Sequence, residues 1–175
     1  MLESYSTMAG QFFGLLSLAL CIMAFSNKQD DRLLVLLLSA NVAFSLQFMI
    51  LGSLTAAALS LLVIARIAFA RRYPGSKSVM AIILAVSAIV SAFTWQSWAD
   101  LPAIVAMALG TMGMFLFRGI PMRVFLGLAA LAWTFSHILV GSVGGTLAEV
   151  LVVVTNAITI YRLYRAKHRY PEVVD

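Results

Sequence analysis

Seven apolar runs, each close to the length that an α-helix needs to cross a bilayer, fill almost all of this 175-residue chain. A spanning helix needs about 20 apolar residues, with about 17 as the lower limit. The runs predict spans at residues 9–26, 33–51, 54–71, 79–95, 101–118, 121–140 and 144–164. The sequence therefore predicts an all-α integral membrane protein with seven transmembrane helices, forming a single transmembrane domain over residues 1–175.

The basic residues predict how these helices are oriented. All of them lie in the first, third or fifth turn between spans, in the C-terminal tail, or within one to two helical turns of these segments. They are Lys28, Arg32, Arg66, Arg71, Arg72, Lys77, Arg118, Arg123, Arg162, Arg165, Lys167 and Arg169. Short loops rich in Lys and Arg stay in the cytoplasm, so the N-terminus is predicted outside and the C-terminus inside.

Composition restricts the classes of function. The chain is 62% hydrophobic and 11% charged, whereas a soluble domain is nearer half apolar and a quarter charged. The formal charge of +5 is spread over helix ends, which favours contact with anionic lipid and argues against nucleic-acid binding. The single cysteine, Cys21, excludes a disulfide within the chain and a thiolate metal site.

We also expect no enzyme activity, no cofactor and no bound metal. The sequence has no nucleotide-binding loop, no metal-ligand spacing and no nucleophile motif. The expected partners are the lipid bilayer and a small solute whose identity the sequence leaves open, and the chain is compatible with a homo-oligomer.

Two segments of the chain look like copies of one three-helix unit. The first covers residues 9–71, the second covers residues 101–164, and residues 79–95 form a linker helix between them, with a cytoplasmic tail at 165–175. The shared features are a Phe-Ser pair and a Gly-Ser turn, found as Phe44-Ser45 with Gly52-Ser53 and as Phe135-Ser136 with Gly141-Ser142. An odd linker helix gives both copies the same orientation, which predicts parallel repeats about an axis along the membrane normal.

The C-terminal half carries a resemblance to a known family. Its motifs are Trp133-Thr134-Phe135-Ser136-His137, Gly141-Ser142-Val143-Gly144-Gly145-Thr146 with Glu149, and Asn156 with Tyr161-Arg162. In these motifs the chain resembles the YgjV family of bacterial inner-membrane proteins. The resemblance extends to the third helix, where the family has an arginine near the position of Arg66. It implies a multi-pass protein of the bacterial inner membrane.

More distantly, the chain resembles the SWEET, PQ-loop and PnuC-type transporters, which share a three-plus-one-plus-three arrangement of helices. In sugar transporters of the SWEET kind, a Trp on the second helix and an Asn on the third helix of each repeat flank the substrate. Trp133 and Asn156 match that pattern in the second repeat. The first repeat departs from it, because its second helix has no Trp and Asn41 is its only Asn.

Four residues are candidate substrate contacts. Trp133 and Asn156 lie at roughly matched depth, where an indole face beside an amide suits a flat or hydroxylated solute. Asn41 is placed with them on the second helix, and Gln47, on another face of that helix, is a further candidate. The alternative interpretation is that the amides hold helices together and Trp133 fills space.

His137 and Glu149 are predicted at similar depth on either side of the turn at residues 142–145. Ionisable groups within a span usually face a partner or a water-filled cavity. One hypothesis is therefore a gating or proton-sensitive pair near the outer mouth. The other is a hairpin clamp, with Glu149 favoured near the start of the seventh helix by its free N–H groups and dipole.

Arg66 lies one to two turns from the predicted cytoplasmic end of the third helix. It either snorkels toward lipid phosphates and nearby acidic groups or contacts an anion on the cytoplasmic side. Together these residues favour a facilitator or proton-linked carrier of a small polar metabolite that works by alternating access. The rival class is a non-transporting scaffold or regulatory subunit, which would place each polar residue in a separate dry contact.

Overall fold

The computed structural model describes residues 2–26 and 30–169, and the side-chain surroundings of residues 5–24 and 35–165. Seven α-helices fill these ranges: α1 Leu2–Ser26, α2 Asp30–Ile50, α3 Leu54–Arg72, α4 Lys77–Thr94, α5 Leu101–Leu116, α6 Gly119–Leu139 and α7 Val143–Arg169. A short 3₁₀ turn, Trp98–Asp100, joins α4 to α5, and no strand occurs in the described ranges. Residues 27–29 of the predicted first turn, Lys28 among them, lie outside the described ranges.

Length and apolar composition suit these helices to a membrane. Six of them are long and apolar enough to cross one, and α2 contributes the shorter apolar stretch Val35–Ile50. The predicted all-helical membrane fold is confirmed at this level. α1 and α7 extend beyond the predicted spans, because an α-helix can continue past the hydrocarbon layer into the polar interface.

Two tight turns have the same local geometry. Gly52 and Gly141 adopt φ of 86° and 71°, a region that glycine enters without steric cost. Ser53 N–H then donates to the Phe48 carbonyl at 2.9 Å, and Ser142 N–H donates to the His137 carbonyl at 2.9 Å. These are Schellman caps, which satisfy the last carbonyls of α2 and α6 and reverse the chain sharply.

The turns without basic residues lie together at one end of the bundle, which we call the hairpin end. Thr55 Oγ1 donates to the Thr94 carbonyl at 2.8 Å, which joins the start of α3 to the end of α4. Gln11 Nε2 on α1 donates to the Gly141 carbonyl at 2.6 Å. Gly10, also on α1, packs against Leu51 beside the α2–α3 turn. The opposite end, where Arg71, Arg72, Lys77, Arg118 and Arg123 lie, is the basic end.

Six helices close into a ring. Around the ring the order is α1, α2, α3, α5, α6 and α7, and α7 packs back on α1. α4 stands outside the ring against α3 and α5. It exposes large apolar side chains such as Phe93, which is 86% exposed, and a bilayer would cover such a surface.

Buried positions recur along the chain at the 89-residue separation of Gly52 from Gly141. On α1 and α5 the corresponding buried residues are Gly14, Ser17, Cys21 and Ala24, then Ala103, Ala106, Gly110 and Gly113. On α2 and α6 they are Ala40, Phe44, Gln47 and Phe48, then Ala129, Trp133, Ser136 and His137. The two Phe-Ser pairs do not correspond, because Phe44 is 6% exposed and Phe135 is 62% exposed. In this register the counterpart of Phe44 is Trp133.

Candidate functional site

A cavity of about 340 Å³ occupies the centre of the ring. Each of the six ring helices contributes side chains to its wall, and none of its lining residues comes from α4. The lining extends from Phe44 and Trp133, deep in the ring, to Arg71 and Arg123 at the basic end. Neither of these two arginines is buried, so the cavity opens toward the basic end.

Most of the polar candidates from the sequence meet in this cavity. Its wall includes Asn41, Arg66, Trp133, Glu149 and Asn156. These residues come from four helices, α2, α3, α6 and α7, that are separated in sequence but joined in the ring. The structure therefore brings them to one shared space instead of isolating each in its own helix contact.

Arg66 is buried inside the ring, with 6% of its surface exposed. Its guanidinium lies against Gly110 on α5, where a β-carbon would approach Cζ to 2.8 Å. Nη1 lies 3.8 Å from Met107 Sδ, a weak acceptor, and Nε has no hydrogen-bond partner. Arg66 thus faces the interior of the ring and does not snorkel to lipid phosphates, because the absence of a side chain at Gly110 leaves room for its guanidinium.

Glu149 lies on the same cavity and is near enough to Arg66 for electrostatic attraction. Among the described residues, no hydrogen bond or ion pair within 4 Å joins the two side chains. Glu149 is six residues beyond the first residue of α7, past the first turn where free N–H groups and the dipole favour a carboxylate. Its surroundings therefore fit a cavity residue better than a helix-end clamp.

The two asparagines leave their side-chain oxygens as acceptors. Asn41 Nδ2 donates to the Leu37 carbonyl at 2.9 Å, and Asn156 Nδ2 donates to the Val152 carbonyl at 3.0 Å. A carbonyl can only accept, so the amide nitrogen must face it in each case. Asn156 Oδ1 has no hydrogen-bond partner, and a buried polar atom without one is costly. A solute with N–H or O–H donors would satisfy it.

An aromatic plug closes the ring beyond the cavity, toward the hairpin end. We use this name for Phe44, Phe48, Trp133 and His137, which bring α2 and α6 together across the ring. The Phe48 and His137 rings stack with centroids 4.4 Å apart. Phe44 lies 5.0 Å from His137, and Phe48 lies 5.9 Å from Trp133, between ring centroids. Phe44 and Trp133 also line the cavity, so the plug forms its floor.

Gln47 and His137 occupy different places from those expected. Gln47 Nε2 and His137 Nδ1 are 3.1 Å apart, and no more than 1% of the surface of either residue is exposed. With the amide nitrogen as donor, Nδ1 accepts and the imidazole is neutral. His137 is thus hydrogen-bonded to Gln47 and not to Glu149. Gln47 is absent from the cavity lining, which places this candidate substrate contact behind the plug.

A brace between α1 and α7, which the sequence analysis did not single out, secures the hairpin end. Gln11 accepts from Val143 N–H at 3.1 Å while its Nε2 donates to Gly141. Below it, Gly144 packs on the backbone of Gly14, where a β-carbon would lie 2.6 Å from the Gly14 carbonyl oxygen. A glutamine within an apolar helix was the sequence signal that could have indicated this brace, because such residues bond between helices.

Comparison with known proteins agrees with this membrane architecture. The sequence profile of the Imp-YgjV family, described as "Bacterial inner membrane protein", matches residues 8–167. The chain is also 24% identical over 159 residues to Inner membrane protein YgjV of Escherichia coli strain K12, covering 91% of this chain and 86% of that protein. No solved structure matches the chain. The predicted resemblance is confirmed: this chain belongs to the YgjV family of bacterial inner membrane proteins and is a multi-pass protein of that membrane.

Proposed function

We propose that this protein is a non-catalytic carrier that moves a small polar metabolite across the inner membrane by alternating access. The observation that carries the proposal is the cavity inside the closed ring, with polar side chains in its wall, an opening at the basic end and an aromatic floor. A concave pocket of a few hundred Å³ with a few convergent polar groups is typical of small-molecule sites. In this account the described conformation faces the cytoplasm.

The proposal includes seven crossings, with the N-terminus outside and the C-terminus inside, and two co-oriented three-helix repeats. The packing supports the repeats, because exchanging α1, α2 and α3 with α5, α6 and α7 converts every neighbour pair of the ring into another pair of the ring. The cavity supports them too, because lining residues pair at the 89-residue separation: Leu37 with Leu126, Ala40 with Ala129, Asn41 with Ala130, Phe44 with Trp133, Val63 with Val152, and Ile67 with Asn156.

The same separation supports the aromatic plug as the outer gate. The exchange converts the Phe44–His137 contact into the Phe48–Trp133 contact, and it converts the Phe48–His137 stack into itself. The stack therefore lies where a two-fold axis between the repeats would pass. Rocking one repeat against the other around that axis would part the plug and close the basic end, as alternating access requires.

The rival scaffold role makes a different demand on the polar residues. A subunit that only binds another membrane protein would hold its polar side chains in separate contacts or on its outer faces. Asn41, Arg66, Glu149 and Asn156 instead share one cavity. This convergence favours the carrier.

Blocking the cavity should abolish solute movement. We propose to load proteoliposomes with a mixture of amino acids, sugars, nucleosides and organic acids, and to measure the retained contents by mass spectrometry. Ala129 lines the cavity, and Ala129→Phe would fill part of it. Leu128→Phe is the matched control, because Leu128 is 45% exposed on the outside of the same helix.

We expect at least one solute to leave vesicles that contain the wild type or Leu128→Phe and to stay in vesicles that contain Ala129→Phe. All three proteins should elute identically in size-exclusion chromatography. Equal retention of every solute in all three preparations would contradict the carrier and favour the scaffold.

A further inference from the structure

Inside its mouth the cavity wall carries one basic and one acidic side chain, Arg66 and Glu149, which are not in direct contact, whereas Arg71 and Arg123 line its opening and are not buried. Arg66 projects from α3 and Glu149 from α7, so the charges come from different three-helix units. No ion pair within 4 Å joins them among the described residues. A guanidinium carries five N–H donors, but within the described part of the chain Arg66 donates only to a methionine sulfur, at 3.8 Å. Its Nε is buried and without a partner.

A buried charge without strong hydrogen bonds is expensive. Arg66 is 6% exposed, so little solvent is available to compensate it. An anionic group of a bound solute would supply the missing acceptors, and a carboxylate matches the planar donor fork of arginine. The positive part of the cavity therefore fits a carboxylate.

The α7 wall offers acceptors. Glu149 supplies a carboxylate, and Asn156 supplies Oδ1, which has no partner while its amide nitrogen is used by the Val152 carbonyl. Both residues lie on α7, seven residues or two helical turns apart, and both line the cavity. An ammonium group has three donors and no acceptor, which suits this pair. The acidic part of the cavity therefore fits a cation.

The floor of the cavity is apolar. Phe44 and Trp133 line it from the aromatic plug, and an apolar or aromatic substituent could pack on their rings. From these three surfaces we propose that the cavity binds a small zwitterion of the amino-acid class, with its carboxylate at Arg66, its ammonium at Glu149 and Asn156, and its side group on the plug. This inference rests on the proposed function, since it names the class of solute carried.

Other solute classes fit less well. A simple anion would satisfy Arg66 but would bring its charge close to Glu149, where like charges repel. A neutral sugar would leave both charges without a counter-ion. A zwitterion brings one charge of each sign, so the net charge buried in the cavity does not change on binding.

A binding panel with matched analogues tests the solute class. The protein in nanodiscs is heated with each neutral standard amino acid, because a solute that binds the folded state raises the apparent melting temperature by mass action. The amino acid with the largest shift is then compared with its deaminated carboxylate and its decarboxylated amine. We expect each analogue to bind at least about tenfold more weakly than the parent, equivalent to about 1.4 kcal/mol.

Three variants assign the two ends of the solute. Arg66→Gln should reduce binding of the amino acid to the level of its decarboxylated amine. Glu149→Gln should bind the amino acid and its deaminated carboxylate about equally, because the anionic partner of the ammonium is gone and only the neutral Asn156 oxygen remains. Arg118→Gln is the arginine control: Arg118 donates to the Met114 and Phe117 carbonyls and is absent from the cavity lining, so it should bind like the wild type.

The inference is overturned if no neutral amino acid raises the melting temperature of the wild type, or if the deaminated carboxylate binds as tightly as its parent. These comparisons need no variant, so a variant that does not fold leaves the result intact. The proteoliposome assay separates the two proposals. Binding without movement of the amino acid would contradict the carrier alone, whereas selective movement of a sugar or a simple anion would contradict the zwitterion alone.

Discussion

Gly144→Ala is expected to destabilise the folded protein by about 2–3 kcal/mol, because overpacking at a site that cannot relax carries a cost of this size. The added β-carbon would meet the backbone of α1 at Gly14 and Leu15, lying 2.6 Å from the Gly14 carbonyl oxygen. Backbone atoms cannot rotate away as a side chain can, so α7 and α1 would have to separate. The measurement is the apparent melting temperature of the purified protein in detergent.

Gly127→Ala is the matched control for this substitution. It places the same methyl group on α6, where the nearest atom would be Asn156 Cβ at 3.9 Å, an ordinary contact distance. Alanine is favoured over glycine within a helix by about 1 kcal/mol, so Gly127→Ala should melt at or slightly above the wild-type temperature. If Gly144→Ala melts at the same temperature as Gly127→Ala, the close contact between α1 and α7 is wrong.

Removing the negative charge of Glu149 should have the second-largest effect. Glu149→Gln leaves Arg66 buried without the acidic group that attracts it. Breaking a dry buried ion pair costs about 3–5 kcal/mol. We expect about 2 kcal/mol here, because the two side chains are not in direct contact. The melting temperature of Glu149→Gln in detergent provides the measurement.

A double-mutant cycle distinguishes this charge effect from lost packing. Arg66→Met removes the positive charge and keeps an unbranched apolar chain, so the double variant Arg66→Met/Glu149→Gln leaves neither member of the pair to be stranded by loss of the other. We expect its loss of stability to be smaller than the sum of the two single losses, as for residues that interact. Additive losses would show that Arg66 and Glu149 do not interact across the cavity.

Much of the architecture was predictable because it depends on local properties of the chain. Apolar length defines helices, and Gly-Ser sequences supply the positive φ that a Schellman cap needs, as at Gly52 and Gly141. Distribution of Arg and Lys separates the basic end from the hairpin end. Asn41, Trp133 and Asn156 can be grouped from the sequence because they are polar or amphipathic residues within apolar helices, and such residues tend to face a shared interior.

The placement of His137 differs from the one expected because it depends on the rotation of each helix about its axis. The turn between α6 and α7 gives His137 and Glu149 similar predicted depths, but depth does not determine which way a side chain points. Glu149 faces the cavity with Arg66. His137 instead forms a hydrogen bond with Gln47 on α2, which lies 90 residues earlier in the chain. No pattern within α6 or α7 contains that information.

Two sequence signals predict the proposed repeat, and only one of them agrees with the 89-residue separation of buried positions. The Gly-Ser turns occupy corresponding places, but Phe44 is buried and Phe135 is exposed. The pairing of Phe44 with Trp133 becomes visible only when burial is known, because an aromatic ring of either type fills the same place in the plug. The polar lining residues do not match at this separation either: Asn156 lies 89 residues after Ile67, and Ala130 lies 89 residues after Asn41. An asymmetric site of this kind suits a solute whose two ends differ.

The most direct test of the account is the reactivity of a single cysteine in the cavity toward a membrane-impermeant maleimide. The protein would carry Cys21→Ala and Ala130→Cys, with Lys77→Cys at the exposed basic end as the control for orientation. We predict that both cysteines are labelled in inside-out vesicles and that neither is labelled in right-side-out vesicles, because in the proposed orientation the cavity opens to the cytoplasm and the aromatic plug closes it from outside. An Ala130→Cys that stays unlabelled from both sides, while Lys77→Cys reacts, would contradict it.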